Sequence, residues 1–180
     1  MKGIVFTEFL NLVEDRFGLE ILDNLLTKSN LESNGIFTSV GTYDHAEMVE
    51  LVSNLSNIIN IDVPKLLLIY GEHFFQVLHN SYPVFFQNID SSLDFMESLE
   101  SYIHPEVLKL YPDAELPRFI SERPSNNHLE LIYISSRKLA AFANGLMNAT
   151  IKHFNEDVKV TIIPLQDDMS EVKFILIKNG

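Results

Sequence analysis

The sequence predicts an α+β fold, with an N-terminal helical lobe followed by a C-terminal antiparallel sheet packed on helices. Three observations carry this expectation. Over the first two thirds of the chain, apolar residues recur at helical spacing, as in Phe6, Phe9, Leu10, Val13 and Phe17. In the last third, segments such as HLELIYIS and VKFILIK are dense in β-branched residues and read as strands. Hydrophobic residues make up 46% of the chain, enough for a sizeable core and far above a disordered composition.

Taken in order, Phe6 to Phe17 forms the first helix, with Gly18 as its natural stop. Leu19 to Leu26 makes a short second one. Asp44-His45-Ala46-Glu47 has the form of a capping box, and Met48, Leu51, Val52, Leu55 and Ile59 continue it as a stripe. Asp62, with Pro64 in the first turn, opens a helix through Tyr70 and Phe74 to about His79. Ser91-Ser92-Leu93-Asp94 caps a further helix whose inner face runs Leu93, Met96, Leu99, Ile103, Val107 and Leu110. The period then changes. His128 to Ser135, Val158 to Ile163 and Val172 to Lys178 read as strands, and Arg118 to Ser121 is a candidate for one more. Lys138 to Phe154 is an apolar helix between the first two of them. The polar turn Gln166 to Ser170 makes the last two strands an expected antiparallel hairpin. No internal repeat or long linker interrupts the chain, so 1–180 reads as one domain.

Composition narrows the function. The net charge of −12 repels phosphate backbones and anionic membranes, so neither nucleic acid nor a membrane is an expected partner. No apolar run approaches the roughly 18 residues of a membrane span, and Glu8 comes too early for a signal-peptide core. A cytoplasmic address fits. The absence of cysteine excludes disulfides, thiolate zinc sites, iron–sulfur clusters and covalent haem attachment. The chain also lacks a phosphate loop, a G-x-S-x-G elbow and an H-E-x-x-H pair, so no common enzyme signature is present.

Two constellations remain. Of the six histidines, His45, His128 and His153 read as structural or surface residues. His104 differs because it precedes Pro105 late in a helical stripe, where proline should kink or break the helix. An imidazole beside such a break can project into a neighbouring cavity, and neutral imidazole is a standard axial ligand of haem iron. The alternative is a buried histidine at a helix kink. The second constellation is Tyr133-Ile134-Ser135-Ser136-Arg137. Strand alternation brings Tyr133, Ser135 and Arg137 to one side, where two hydroxyls and a guanidinium suit a pair of carboxylates such as haem propionates. The alternative there is a strand end with a surface arginine.

Together, His104 and Tyr133-x-Ser135-x-Arg137 resemble the haem nitric oxide/oxygen-binding (H-NOX) family. The likeness spans the chain, from Met1-Lys2-Gly3 through Leu116-Pro117-Arg118 and Gly145-Leu146 to the closing strands. It implies a haem pocket between a distal helical lobe, about 1–62, and a proximal lobe with the sheet, about 63–180. It implies non-covalent haem b (iron protoporphyrin IX) with His104 as proximal iron ligand. It also implies Tyr133, Ser135 and Arg137 on the propionates and Pro117 against the haem face. Oxygen-binding members place a distal tyrosine where this chain has Phe142. Val5, Phe9, Phe74 and Leu146 are the other expected distal positions, and all are apolar. The resemblance therefore implies a sensor, not an enzyme, that binds nitric oxide and carbon monoxide and excludes oxygen. Signalling would run through a weakened His104–iron bond to a histidine kinase or a cyclic-dinucleotide enzyme. Family members with a cysteine-rich zinc site differ from this chain. The rival readings are a haem-free or redox-responsive docking module of the same fold and, in a third class, a haem-dependent oxidoreductase.

Overall fold

The computed structural model describes residues 1–179. Four helices come first: α1 (Gly3–Phe17), α2 (Leu19–Lys28), α3 (His45–Ile59) and α4 (Val63–Ser81). Gly18, at φ 87°, ends α1 with its N–H on the Glu14 carbonyl. Asp44 caps α3 by accepting from the Ala46 amide at 2.7 Å. The capping box is only half formed. The Glu47 carboxylate turns instead to the Ser33 hydroxyl at 2.5 Å and amide at 3.1 Å, tying down the loop before the helix. Pro64 sits in the first turn of α4 as its fixed φ allows, although the Asp62 side chain makes no cap.

The stretch from Ser92 to Leu110 departs from the single helix that its stripe implies. It is built of α5 (Ser92–Glu97), a π turn (Leu99–Ile103) and α6 (His104–Leu110). The irregularity lies before His104 rather than at Pro105, which occupies the first turn of α6, where its missing N–H costs nothing. A π turn inserts one extra residue into the helical path, a device common at functional sites.

Strands β1 (Arg118–Ser125), β2 (His128–Ile134), β3 (Val158–Pro164) and β4 (Glu171–Lys178) form one antiparallel sheet in the order β1-β2-β4-β3. Helix α7 (Ala140–His153) connects β2 to β3. One face of the sheet is dry: Leu129, Leu131 and Tyr133 of β2 and Val172, Phe174 and Leu176 of β4 are all buried. The last two strands form the expected hairpin, with Ile162 opposite Phe174. The fold is α+β.

Two apolar cores result. One fills the helical lobe around Phe6, Leu51 and Tyr70, and the other lies between the sheet, α5 and α7. Helix α4 contributes Leu66, Leu67, Tyr70 and Phe74 to the first, so the apolar interior is continuous across residue 62. Helices α4 and α7 join the two cores by close backbone approach. A Cβ on Gly145 would lie 2.1 Å from the Leu68 carbonyl oxygen, and one on Gly71 2.2 Å from that of Phe142. Only glycine fits at either position without moving a helix.

Candidate functional site

A cavity of about 260 Å³ opens between the two cores. That is far beyond the ~10–15 Å³ that one water needs. Its wall is overwhelmingly apolar, with contributions from α4, α7, the segment 83–107 and β1. Such a space takes a flat hydrophobic ligand of considerable size.

His104, Pro117, Tyr133, Ser135, Arg137, Val5, Phe74, Phe142 and Leu146 all line it. Phe9 does not. It is buried in the helical core behind Tyr70, with the two rings edge-on at 5.2 Å. Helical spacing puts Phe9 on the inner face of α1, but only tertiary packing decides which inner residues reach a cavity. His45, His128 and His153 also lie off its wall.

The helical backbone at the start of α6 holds His104, whose side chain is only 14% exposed. Its Nδ1 lies 3.0 Å from Glu100 Oε1. The same oxygen accepts from the Phe119 amide at 2.8 Å. An ionised carboxylate only accepts, so Nδ1 carries the proton and Nε2 is left with a free lone pair. Burial pushes the imidazole below its ordinary pKa of 6.5, against the opposing pull of Glu100. The neutral ring is thus favoured near neutral pH, the form that binds a metal. Among the described residues no cluster of three His, Asp or Glu could hold a bare ion. A lone imidazole in an apolar cavity suits instead a metal that arrives inside its own macrocycle.

Polar groups gather at one rim of the cavity. Tyr133 is buried and its hydroxyl accepts from the Leu139 amide at 3.0 Å. Burial pushes this phenol's pKa up, while the Ser135 hydroxyl, the Leu139 amide and the Arg137 charge pull the other way. The Ser135 hydroxyl accepts from the Arg137 amide at 3.2 Å. One guanidinium nitrogen of Arg137 donates to the Glu115 carbonyl at 2.7 Å, and another pairs with the Glu115 carboxylate. Arg137 is 17% exposed and Glu115 is 83% exposed. The fork is therefore already set for a carboxylate, and its present partner is an exposed surface side chain that a bound carboxylate can displace.

The wall formed by Val5, Phe74, Phe142 and Leu146 has no such groups. Tyr70 packs on Phe142 with ring centres 5.0 Å apart, yet its hydroxyl donates to the Val5 carbonyl. Complete burial raises its pKa well above the ordinary value, so that proton stays in place. Thr150, also on the cavity wall, gives its hydroxyl proton to the Leu146 carbonyl at 2.8 Å. The sequence reading missed Glu100, Glu115 and Tyr70. Glu100 was findable as the i−4 neighbour of His104 on a helical path, whereas nothing in the sequence marks Glu115 as the partner of Arg137.

The family model described as haem-NO-binding matches residues 2–162. The chain belongs to the haem-NO-binding family. This is a family of haem-binding gas-sensing domains, and several of the solved H-NOX structures that the chain resembles are in Fe(II) states. The unliganded Fe(II) H-NOX mutant A71G from K. algicida is 49% identical, with a TM-score of 0.96 over 100% of this chain and 97% of that one. The IWP-051-bound H-NOX from Shewanella woodyi, in its Fe(II)CO ligation state, is 40% identical, with a TM-score of 0.85 over 100% and 95%. The Fe(II)NO H-NOX protein from S. oneidensis shares the fold at a TM-score of 0.91 and 23% identity, each chain covered fully. Among the described residues of this haem-NO-binding domain, no helix is long and apolar enough to cross a membrane.

Proposed function

We propose that this domain is a nitric oxide sensor that holds non-covalent haem b through His104, binds NO and CO, and excludes oxygen. The carrying observation is the His104 imidazole at the edge of a large apolar cavity, with Nδ1 fixed by Glu100 and the other nitrogen free. Tyr133, Ser135 and Arg137 hold the propionates at the polar rim, Arg137 exchanging Glu115 for a ligand carboxylate. Pro117 bears on the macrocycle from the cavity wall. When bound, haem iron supplies the coordination position for a diatomic gas.

The chain's own residues then decide selectivity. Bound dioxygen gains from a hydrogen-bond donor, and nitric oxide needs one much less. The Val5, Phe74, Phe142 and Leu146 wall offers none, and the nearby Tyr70 proton is committed to Val5. The same lack of a general acid or base argues for a sensor rather than an enzyme. In the signalling step the hold of His104 on the iron would weaken, and α6 with the preceding π turn would shift against β1. The output passes to a docked partner, a histidine kinase or a cyclic-dinucleotide enzyme, in the cytoplasm. A switch of this kind works because the gas favours one of two arrangements.

An absorption spectrum of the reduced protein in air, then with NO, tests the whole reading. The expected result is a haem band unchanged by air and altered by NO. His104→Gly is expected to lose haem or to bind it only with added imidazole. Purified protein that takes up no haem on supplementation overturns the reading in favour of a haem-free docking module.

A further inference from the structure

Glu100 stands four residues before His104, and the π turn lies across the interval. Its Oε1 serves two donors at once, the His104 Nδ1–H and the backbone N–H of Phe119 on β1. Strand β1 is an edge, paired only with β2, and the Phe119 amide turns to Glu100 rather than to a strand. Phe119 is opposite Tyr133 in the register, and its ring lies 5.9 Å from His104 and 5.6 Å from Tyr133. Among the described residues, the ion pair of Glu100 is with His104 and not with a lysine or arginine. Its charge is therefore directed at the imidazole.

Resting on the haem reading above, we propose that Glu100 is a positioning residue that sets how strongly His104 holds iron and links its release to the edge of the sheet. An ionised acceptor on Nδ1–H raises the electron density at Nε2 and makes the imidazole a stronger ligand. Glu100 and His104 share one helical path, so a shift of that segment away from the sheet also removes the acceptor from Phe119 N–H. A backbone donor is then exposed on β1 beside Tyr133, and the state of the imidazole is written onto the sheet.

Two substitutions separate the two roles. Glu100→Gln keeps an oxygen for Phe119 but removes the charge, and Glu100→Ala removes both. In reduced, haem-loaded protein the iron–histidine stretching band is expected to move to lower frequency in Glu100→Gln. Release of His104 on NO addition is expected to be about tenfold faster there. In haem-free protein the Phe119 amide is expected to exchange about tenfold faster in Glu100→Ala and at the parental rate in Glu100→Gln. Glu106→Gln, which breaks only a pair with Lys109 on α6, leaves both readouts unchanged. A parental stretching frequency in Glu100→Gln overturns the proposal while leaving iron ligation by His104 standing. A parent protein that lacks the band overturns the haem reading itself. Because Gln matches Glu in shape, the Raman arm decides even where Glu100→Ala fails to fold.

Discussion

Replacing Gly145 by alanine sets two opposed effects against each other. Inside a helix, alanine is favoured over glycine by about 1 kcal/mol, so propensity alone forecasts a more stable protein. The structure forecasts the reverse. The new Cβ needs 3.4 Å to be in ordinary contact and finds the Leu68 carbonyl oxygen at 2.1 Å, with Glu72 N and the Gly71 Cα at 3.0 Å. All three are backbone atoms, so no side chain can swing aside, and α7 must part from α4 by about 1.3 Å at that point. Overpacking of this kind costs about 1–3 kcal/mol, and a backbone-on-backbone clash belongs at the upper end. The net expectation is a loss of about 2 kcal/mol, which for a chain of this size lowers the melting temperature by about 4–8 °C. Thermal unfolding followed by circular dichroism measures it, with and without haem. Gly71→Ala strains the same seam from the other side, so the double variant should cost less than the sum of the singles. A Gly145→Ala melting temperature at or above that of the parent would refute the argument that this close approach is rigidly required.

Glu156 accepts from the Ser92 amide at 3.0 Å and hydroxyl at 2.5 Å and from Lys178 at 2.6 Å. Its burial pushes the pKa up, but Lys178 and Ser92 together outweigh that and hold it below the ordinary 4.5. A depressed folded value means the contribution is complete above pH 4.5 and is lost as pH falls through the folded value. Glu156→Gln is accordingly expected to cost about 1–3 kcal/mol at neutral pH in urea unfolding. Its gap to the parent should narrow in acid, and a gap of constant size would contradict the assignment. Phe142→Tyr puts a donor into the apolar wall and is expected to create measurable oxygen affinity, read from the spectrum of the reduced protein in air. An unchanged spectrum would show that this wall does not control selectivity. Arg137→Ala is expected to speed haem transfer to an acceptor globin by about 10–100-fold, the loss of charge-assisted hydrogen bonds; transfer at the parental rate would remove Arg137 from the propionate site.

Much of this architecture was legible before folding because it is local. Strand alternation put Leu129, Leu131 and Tyr133 on one face, while Ser135 and Arg137, which the same parity marked, reach the rim of the cavity from the turn after β2. Helical spacing marked the inner faces of α1, α3 and α4. The same logic failed where a pattern was continuous but the backbone was not. The stripe from Leu93 to Leu110 conceals a π turn, whose extra residue rotates the segment after it, so that Leu110, expected on the inner face, is exposed and no residue of α6 is fully buried. It failed again at Phe9, which shares the apolar character of Val5 and Phe74 but spends its ring against Tyr70.

Periodicity and residue chemistry thus determined the α+β layout and singled out a candidate imidazole and a candidate carboxylate clamp, since each depends on neighbours close in the chain. Which of several equivalent phenylalanines faces the cavity depended on how α1, α4 and α7 meet. So did the commitment of the Tyr70 proton to Val5 and the sharing of one Glu100 oxygen between His104 and Phe119. Those are contacts between segments far apart in the chain or on different elements. Their partners are selected by the packing of whole elements, which no local pattern of residues encodes.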